Sequence, residues 1–289
     1  MEIFETKLDL INALDLLKKK SKNVGFVPTM GALHKGHLSL VKKALDENHT
    51  VVVSIFVNPT QFDKEEDLIN YPRTISKDIE ILKSLNNNNI FIYTPSVEEV
   101  YTKKVSSEKF SFNGLEHEME GKFRDGHFDG VGTILKYFFE LIKPTNAYFG
   151  EKDFQQLRIV QTLAEQLDEK VNVIGCPIYR ENSGLAMSSR NERLDARIRE
   201  EASFIYKTLK IAKDKFKNHS AQYVKKWVEN EFSKNSLFTL EYIEIADVST
   251  LKPVKRKSKI KKYRAFIAVF ADNIRLIDNI ALNWLNLLA

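Results

Sequence analysis

Between Val24 and Pro177 the chain alternates short, nearly continuous apolar runs with longer stretches of helical period, and this alternation narrows the possible folds more than any other feature. The apolar runs are Val24–Val27, Thr50–Val57, Ile90–Tyr93, Ala147–Phe149 and Val171–Cys176. They are β-branched or aromatic with little in–out alternation, as expected of strands covered on both faces of a parallel sheet. Between them, apolar residues recur three and four positions apart: Leu38, Val41, Ala44 and Leu45, then Ile79, Leu82 and Leu85, then within Val131–Ile142 and Phe154–Leu167. Strand, helix, strand, helix predicts a doubly wound α/β sheet, with ligands beyond the carboxyl ends of its strands.

After Pro177 the pattern changes. Asp195–Lys217 and Ser220–Phe232 read as helices, while Tyr242–Ala246, Phe266–Phe270 and Arg275–Ile280 read as strands. The expected organisation is therefore residues 1–177 as a doubly wound α/β domain and residues 178–289 as a smaller C-terminal α+β domain with an antiparallel sheet.

Composition excludes several classes. Of 289 residues, 43% are hydrophobic and 29% charged, enough for a packed core and too apolar for a disordered chain. The longest apolar stretches, such as Val51–Val57, are strand-sized, so no membrane span is expected. The start, MEIFETKLDL, carries early acids and no long apolar core, unlike a signal peptide. The single cysteine, Cys176, has no partner for an internal disulfide, and its apolar setting, VIGCPI, suits a buried small hydrophobe. These features lead us to expect a cytoplasmic protein. The net charge of +5 is local: Lys252–Lys262 holds seven basic residues and no acid, and the remaining 37 basic residues face 39 acidic ones, a net −2. A solvated hairpin loop is the expectation there, and nucleic-acid binding is not.

Four segments carry chemistry. The first follows the first strand and runs from Pro28 through Thr29, Met30, Gly31, Ala32, Leu33, His34, Lys35 and Gly36 to His37. Glycines here allow close backbone approach, and a helix N-terminus offers unpaired N–H groups to a phosphate. His34 and His37 fall on one side of a helical turn, where two imidazoles can donate to phosphate oxygens as a bond breaks. Zinc binding by the pair lacks further ligands nearby, and ordinary surface histidines remain an alternative. The second segment, Phe56–Phe62, places Asn58 and Gln61 after a strand that Pro59 should end. Their amides suit a hydroxyl and a carboxylate, although Asn-Pro is also a common turn. The third, Gly150, Glu151, Lys152, Asp153, combines a glycine, a cation and a helix start, and it also fits a capping turn with Asp153 as N-cap. The fourth, Met187, Ser188, Ser189, Arg190, makes a compact anion clamp after a loop in which Gly184 permits movement, or else a helix cap with a solvated arginine. A further glycine-rich stretch, Arg124–Val131, reads as a mobile loop capped at Asp129.

PTMGALHKGH, FVNPTQF, YPRT, GHFDGV, KP-x-x-AYFGEKDFQQ and GLAMSSRN, in this order, resemble the pantothenate synthetase family, and RLIDN at Arg275–Asn279 continues the likeness more weakly. The resemblance implies a Rossmann-like domain with a smaller C-terminal lid domain, a homodimer, and ATP-dependent ligation of pantoate to β-alanine through a pantoyl adenylate, releasing AMP and pyrophosphate. It implies ATP contacts from Met30, Gly31, Ala32, Leu33, His34, Lys35, Gly36 and His37, from Gly150, Glu151, Lys152 and Asp153, and from Met187, Ser188, Ser189 and Arg190, with Tyr179 contributing through its backbone. His34, His37, Lys152 and Arg190 would act on the phosphates. Gln61, Gln156, Asn58, Pro28 and Met30 would bind pantoate or β-alanine. Magnesium would arrive with ATP, and Asp78 matches an acidic position near it, although Lys77 replaces a neighbouring carboxylate. Asp125 replaces a common proline, Tyr179 replaces a small apolar residue, and the run Lys252–Lys262 has no family counterpart that the motifs place.

Overall fold

The computed structural model describes residues 1–19, 22–63, 65–168 and 170–282. Its Cα positions cluster into two units. The first comprises Met1–Glu151 and Gln155–Pro177, and the second Lys152–Phe154 together with the chain from Ile178 onward.

The first unit is built on six parallel strands: β1 (Glu2–Phe4), β2 (Val24–Thr29), β3 (Thr50–Ile55), β4 (Ile90–Tyr93), β5 (Asn146–Gly150) and β6 (Asn172–Cys176). Their order is β1-β4-β3-β2-β5-β6. From β2 the chain steps outward through β3 and β4, then returns to lay β5 on the other side of β2. The strand order therefore reverses between β2 and β5, the switch point at which such sheets open a crevice for ligands. All six residues of β3 are buried, which accounts for its unbroken apolar reading. The helix His127–Ile142 packs on the sheet through Phe138 and Phe139, both in edge contact with Phe26.

Two elements here lie outside the expected strands and helices. β1 has three residues, one of them buried, too few to show a period. The helix Lys7–Lys18 follows it, with Thr6 as N-cap accepting from the Asp9 N–H at 3.2 Å. The strand expected at Thr50–Val57 stops at Ile55, and Pro59 opens a short 3-10 turn, Pro59–Gln61. Arg124–Val131 is not a loop capped at Asp129. A helix starts at His127, and Asp129 in its first turn accepts from the Phe110 N–H (3.1 Å) and Lys109 Nζ (2.7 Å).

In the second unit β7 (Thr239–Asp247), β8 (Tyr263–Ala271) and β9 (Ile274–Leu282) form an antiparallel sheet with β8 central. Leu209, Phe216, Val224, Val228, Ile245 and Ile267 are in its core. The helix expected over Asp195–Lys217 is two helices, Ala196–Glu201 and Ser203–Asn218, parted at Ala202. The basic run joins β7 to β8 and is tied down more than a solvated loop would be. The Val254 N–H donates to the Ile245 carbonyl (2.9 Å), and Lys257 donates to the Phe216 carbonyl while lying 4.1 Å above the Phe216 ring. Among the described residues no helix is long and apolar enough to cross a membrane.

Candidate active site

The segment after β2 takes its shape from backbone that most residues avoid and from one buried carboxylate. Gly31 (φ +82°) and Ala32 (φ +49°) are both left-handed, which turns the chain sharply off the strand. A Cβ on Gly31 would lie 3.1 Å from Asp78 Oδ2, so glycine also lets that carboxylate approach. Asp78 is fully buried and accepts from the Ala32 N–H (3.0 Å), the Leu33 N–H (2.7 Å) and Thr74 Oγ1 (3.1 Å). Expected beside magnesium, Asp78 is a loop anchor in this structure. Its oxygens already serve three donors, and among the described residues no cluster of three or more His, Cys, Asp or Glu could hold a metal.

His34 caps the helix Lys35–Glu47. Its Nδ1 accepts from the Gly36 N–H at 3.1 Å, and His37 Nδ1 accepts from the His34 N–H at 3.3 Å, a reciprocal capping box made of imidazoles. The two rings stack with centroids 4.0 Å apart. A backbone N–H only donates, so in the neutral rings both Nδ1 atoms are acceptors and both protons sit on Nε2. The cap thus fixes the tautomer as well as the helix start, and presents each ring as an Nε2–H donor.

The turn Pro59–Gln61 meets this segment. Gln61 Nε2 lies 2.6 Å from Met30 Sδ, bringing together two residues expected at the acid substrate. Asn58, also expected there, is buried and fully engaged. Its Nδ2 donates to the Gly130 carbonyl (3.0 Å) and Gln61 Oε1 (3.3 Å), and its Oδ1 accepts from Tyr101 Oη (2.6 Å) and Thr60 Oγ1 (3.1 Å). Asn58 therefore shapes the turn rather than offering an open amide. Gly130 permits the approach, since a Cβ there would lie 2.2 Å from the Thr60 carbonyl oxygen. Pro28 lies in β2 opposite Ser54.

Gln155 and Gln156 illustrate how neighbours separate in role. Gln155 is buried, donating to the Leu115 and Glu118 carbonyls (2.8 and 2.7 Å) and accepting from the Glu120 N–H (3.0 Å). Gln156 is half-buried, and no hydrogen bond among the described residues engages its side chain. Gly150 ends β5 and Glu151 opens the following 3-10 turn.

The second unit holds the remaining expected residues. Tyr179 and Met187 close a small hairpin: the Met187 N–H donates to the Tyr179 carbonyl (3.0 Å), Arg180 bridges Ala186, and Gly184 turns the chain at φ +99°. The stem is braced by an ion pair between a part-buried guanidinium and a buried carboxylate. Arg180 donates in fork geometry to Asp278 on β9 (2.6 and 2.9 Å) and lies 3.6 Å above the Tyr206 ring. Burial raises the Asp278 carboxyl above its ordinary value, opposed by Arg180, the Asn279 N–H and Lys152. The adjacent Asn279 donates to the Lys152 carbonyl at 2.9 Å. Consecutive residues of β9 thus fasten both the hairpin and the Lys152–Phe154 segment. Lys152 Nζ is 4.0 Å from Asp153 Oδ2. Ser188 caps a 3-10 turn, Ser189–Arg193, accepting from the Arg190 N–H at 3.3 Å, and Arg190 is exposed. Asp153 is not a cap in this structure, since the 3-10 turn Glu151–Asp153 runs directly into the helix Phe154–Gln166.

Compared with known proteins, residues 2–281 match the profile described as Pantoate-beta-alanine ligase. The chain belongs to this family. Pantothenate synthetase of Christiangramia forsetii is 55% identical over 98% of this chain and 100% of its own length. That of Flavobacterium psychrophilum is 56% identical over 98% and 100%. Among solved structures, pantothenate synthetase from Thermus thermophilus aligns with a TM-score of 0.88 at 36% identity, covering 98% of this chain and 99% of that one. Pantoate-beta-alanine ligase from Francisella tularensis, complexed with beta-gamma ATP and β-alanine, aligns with a TM-score of 0.77 at 33% identity, covering 97% of each chain. The expected fold, a parallel sheet with helices and a small antiparallel C-terminal sheet, is the one observed.

The anchors of this pantoate–β-alanine ligase family chain leave little trace in its sequence. Asp278 and Asn279 lie in the weakly family-like RLIDN, but their bonds to Arg180 and to the Lys152 carbonyl span separations that make no local pattern. His127 reads as loop, and its one available signal is its place in the family-like stretch GHFDGV.

Proposed function

We propose that this chain uses ATP to activate the carboxylate of pantoate and then joins it to β-alanine. A carboxylate resists attack by an amine because it is anionic and its leaving group would be oxide. In the first step a pantoate oxygen attacks the α-phosphorus of ATP, giving pantoyl adenylate and pyrophosphate. In the second the β-alanine amine attacks the acyl carbon, loses a proton, and AMP departs.

The observation that carries this reading is the imidazole-capped helix at the switch point. The first turn of Lys35–Glu47 offers backbone N–H groups and a partial positive charge to phosphate. His34 and His37, as Nε2–H donors, stabilise charge developing on the phosphate oxygens. Lys152, Ser188, Ser189 and Arg190 supply further cationic and hydroxyl contacts to the nucleotide, with backbone contacts from the Met30–Gly36 loop, from Gly150, Glu151 and Asp153, and from Tyr179 and Met187. Gln61 and Gln156 hold pantoate, with Met30 and Pro28 beside them. Magnesium enters as MgATP, with ligands mainly from phosphate oxygens and water. The proposal extends to a cytoplasmic homodimer.

Release of AMP, followed while pantoate, β-alanine and MgATP are each omitted in turn, tests this reading. AMP release that needs all three supports it. An ATP–pyrophosphate exchange that proceeds with another acid and not with pantoate rejects it.

A further inference from the structure

Gln61 is held from behind by a pair of residues to which no substrate contact has been given. His127 is 7% exposed, and its Nδ1 lies 2.7 Å from the Gln61 carbonyl oxygen. A carbonyl only accepts, so the proton is on Nδ1. The other ring nitrogen, Nε2, lies 3.4 Å from Arg124 Nη1, a group that only donates. The two contacts demand the same neutral tautomer, and desolvation together with the Arg124 charge holds the ring neutral, with its pKa lowered to about 4. Arg124 Nη2 also reaches the Gln61 carbonyl at 3.5 Å. The side chain of Gln61 meanwhile bonds Met30 Sδ and Asn58 Nδ2.

We infer that His127 is a positioning residue for Gln61: its Nδ1–H fixes the Gln61 carbonyl, and so the direction from which the Gln61 amide meets the acid substrate. This rests on the proposed function, because it takes pantoate as the ligand of Gln61. The requirement is narrow. A side chain at 127 must donate to the carbonyl and accept from Arg124. A cation there would face Arg124, and an apolar group would remove the shorter of the carbonyl's two contacts, leaving Arg124 Nη2 at 3.5 Å, and would take one acceptor from Arg124. Asparagine meets both demands, because its amide carries a donor and an acceptor on one short stem.

The test is steady-state AMP release by wild type, His127→Leu and His127→Asn, with thermal melting of each. We expect His127→Leu to raise KM for pantoate about 10-fold, the size of one lost hydrogen bond, with KM for ATP within about twofold. His127→Asn should recover most of that loss. In a Gln61→Ala background, His127→Leu should change pantoate binding, measured by calorimetry, by less than about twofold, since the amide that the fixed carbonyl directs is gone. A folded His127→Leu with an unchanged pantoate KM overturns the inference. So does an equal rise in the ATP KM, or an undiminished His127→Leu effect without Gln61. A wild-type protein that releases no AMP overturns the proposed function itself, and is thereby told apart from these outcomes.

Discussion

The Met30–His37 loop of the first unit and the Tyr179–Met187 hairpin of the second are each fastened by one buried aspartate, but to different donors. Asp78 accepts backbone N–H groups of Ala32 and Leu33. Asp278 accepts the guanidinium of Arg180. A loop gripped by its backbone is insensitive to which side chains it carries at the gripped positions, and it is held without a second charge. A hairpin gripped through an ion pair depends on both partners, and each is stranded if the other is lost.

Matched substitutions can break this contrast. The largest expected effect is Asp278→Asn, which leaves the part-buried Arg180 without its counter-charge and should cost about 3 kcal/mol or more in urea unfolding. A loss no greater than that of Asp78→Asn would erase the distinction. A pH series sharpens it with a third kind of grip, the neutral His127. Its folded pKa of about 4 lies below the ordinary value of 6.5, so the unfolded chain binds the proton more tightly. Stability from this group is full above 6.5 and is lost as pH falls towards 4, by about 3 kcal/mol. Unfolding of His127→Asn, followed from about pH 7.5 down to about pH 4.5, should lack this part of the decline. Arg124, Glu120 and Asp63 surround the ring in both proteins, so the comparison isolates His127.

Next in size is His37→Ala, which should lower AMP release by about 10²-fold while costing only about 1 kcal/mol of stability through the lost cap. Near-normal formation of pantoyl adenylate by that variant would leave the loop as scaffold alone. Asp78→Asn should cost about 2 kcal/mol, because the amide retains one acceptor and turns a donor towards an N–H. The smallest contrast is between neighbours. Gln155→Ala should lower the melting stability by about 1 kcal/mol or more, and Gln156→Ala should leave it unchanged while raising KM for pantoate. Equal melting of the two variants would remove the separation of roles.

Much of the fold was legible because buried parallel strands announce themselves: β3 is apolar throughout, and β4 coincides end to end with its apolar run. The candidate site was legible where chemistry and local pattern coincide, as in the two histidines at a helix start. What escaped depends on distance along the chain. Arg180 and Asp278 are 98 positions apart, and nothing near either residue announces the other. Asp78 looks like any polar residue on an amphipathic helix until the loop folds over it. Asn58 carries the right functional group for a ligand, and only the structure shows that Gly130, Tyr101 and Thr60 already use it.

The imidazole cap ties two properties together. Each Nδ1 spends its lone pair on a backbone N–H, and that same bond leaves the ring's proton on Nε2. The beginning of Lys35–Glu47 and the readiness of the rings to act as Nε2–H donors are thereby one property, and a substitution that spoils the one removes the other.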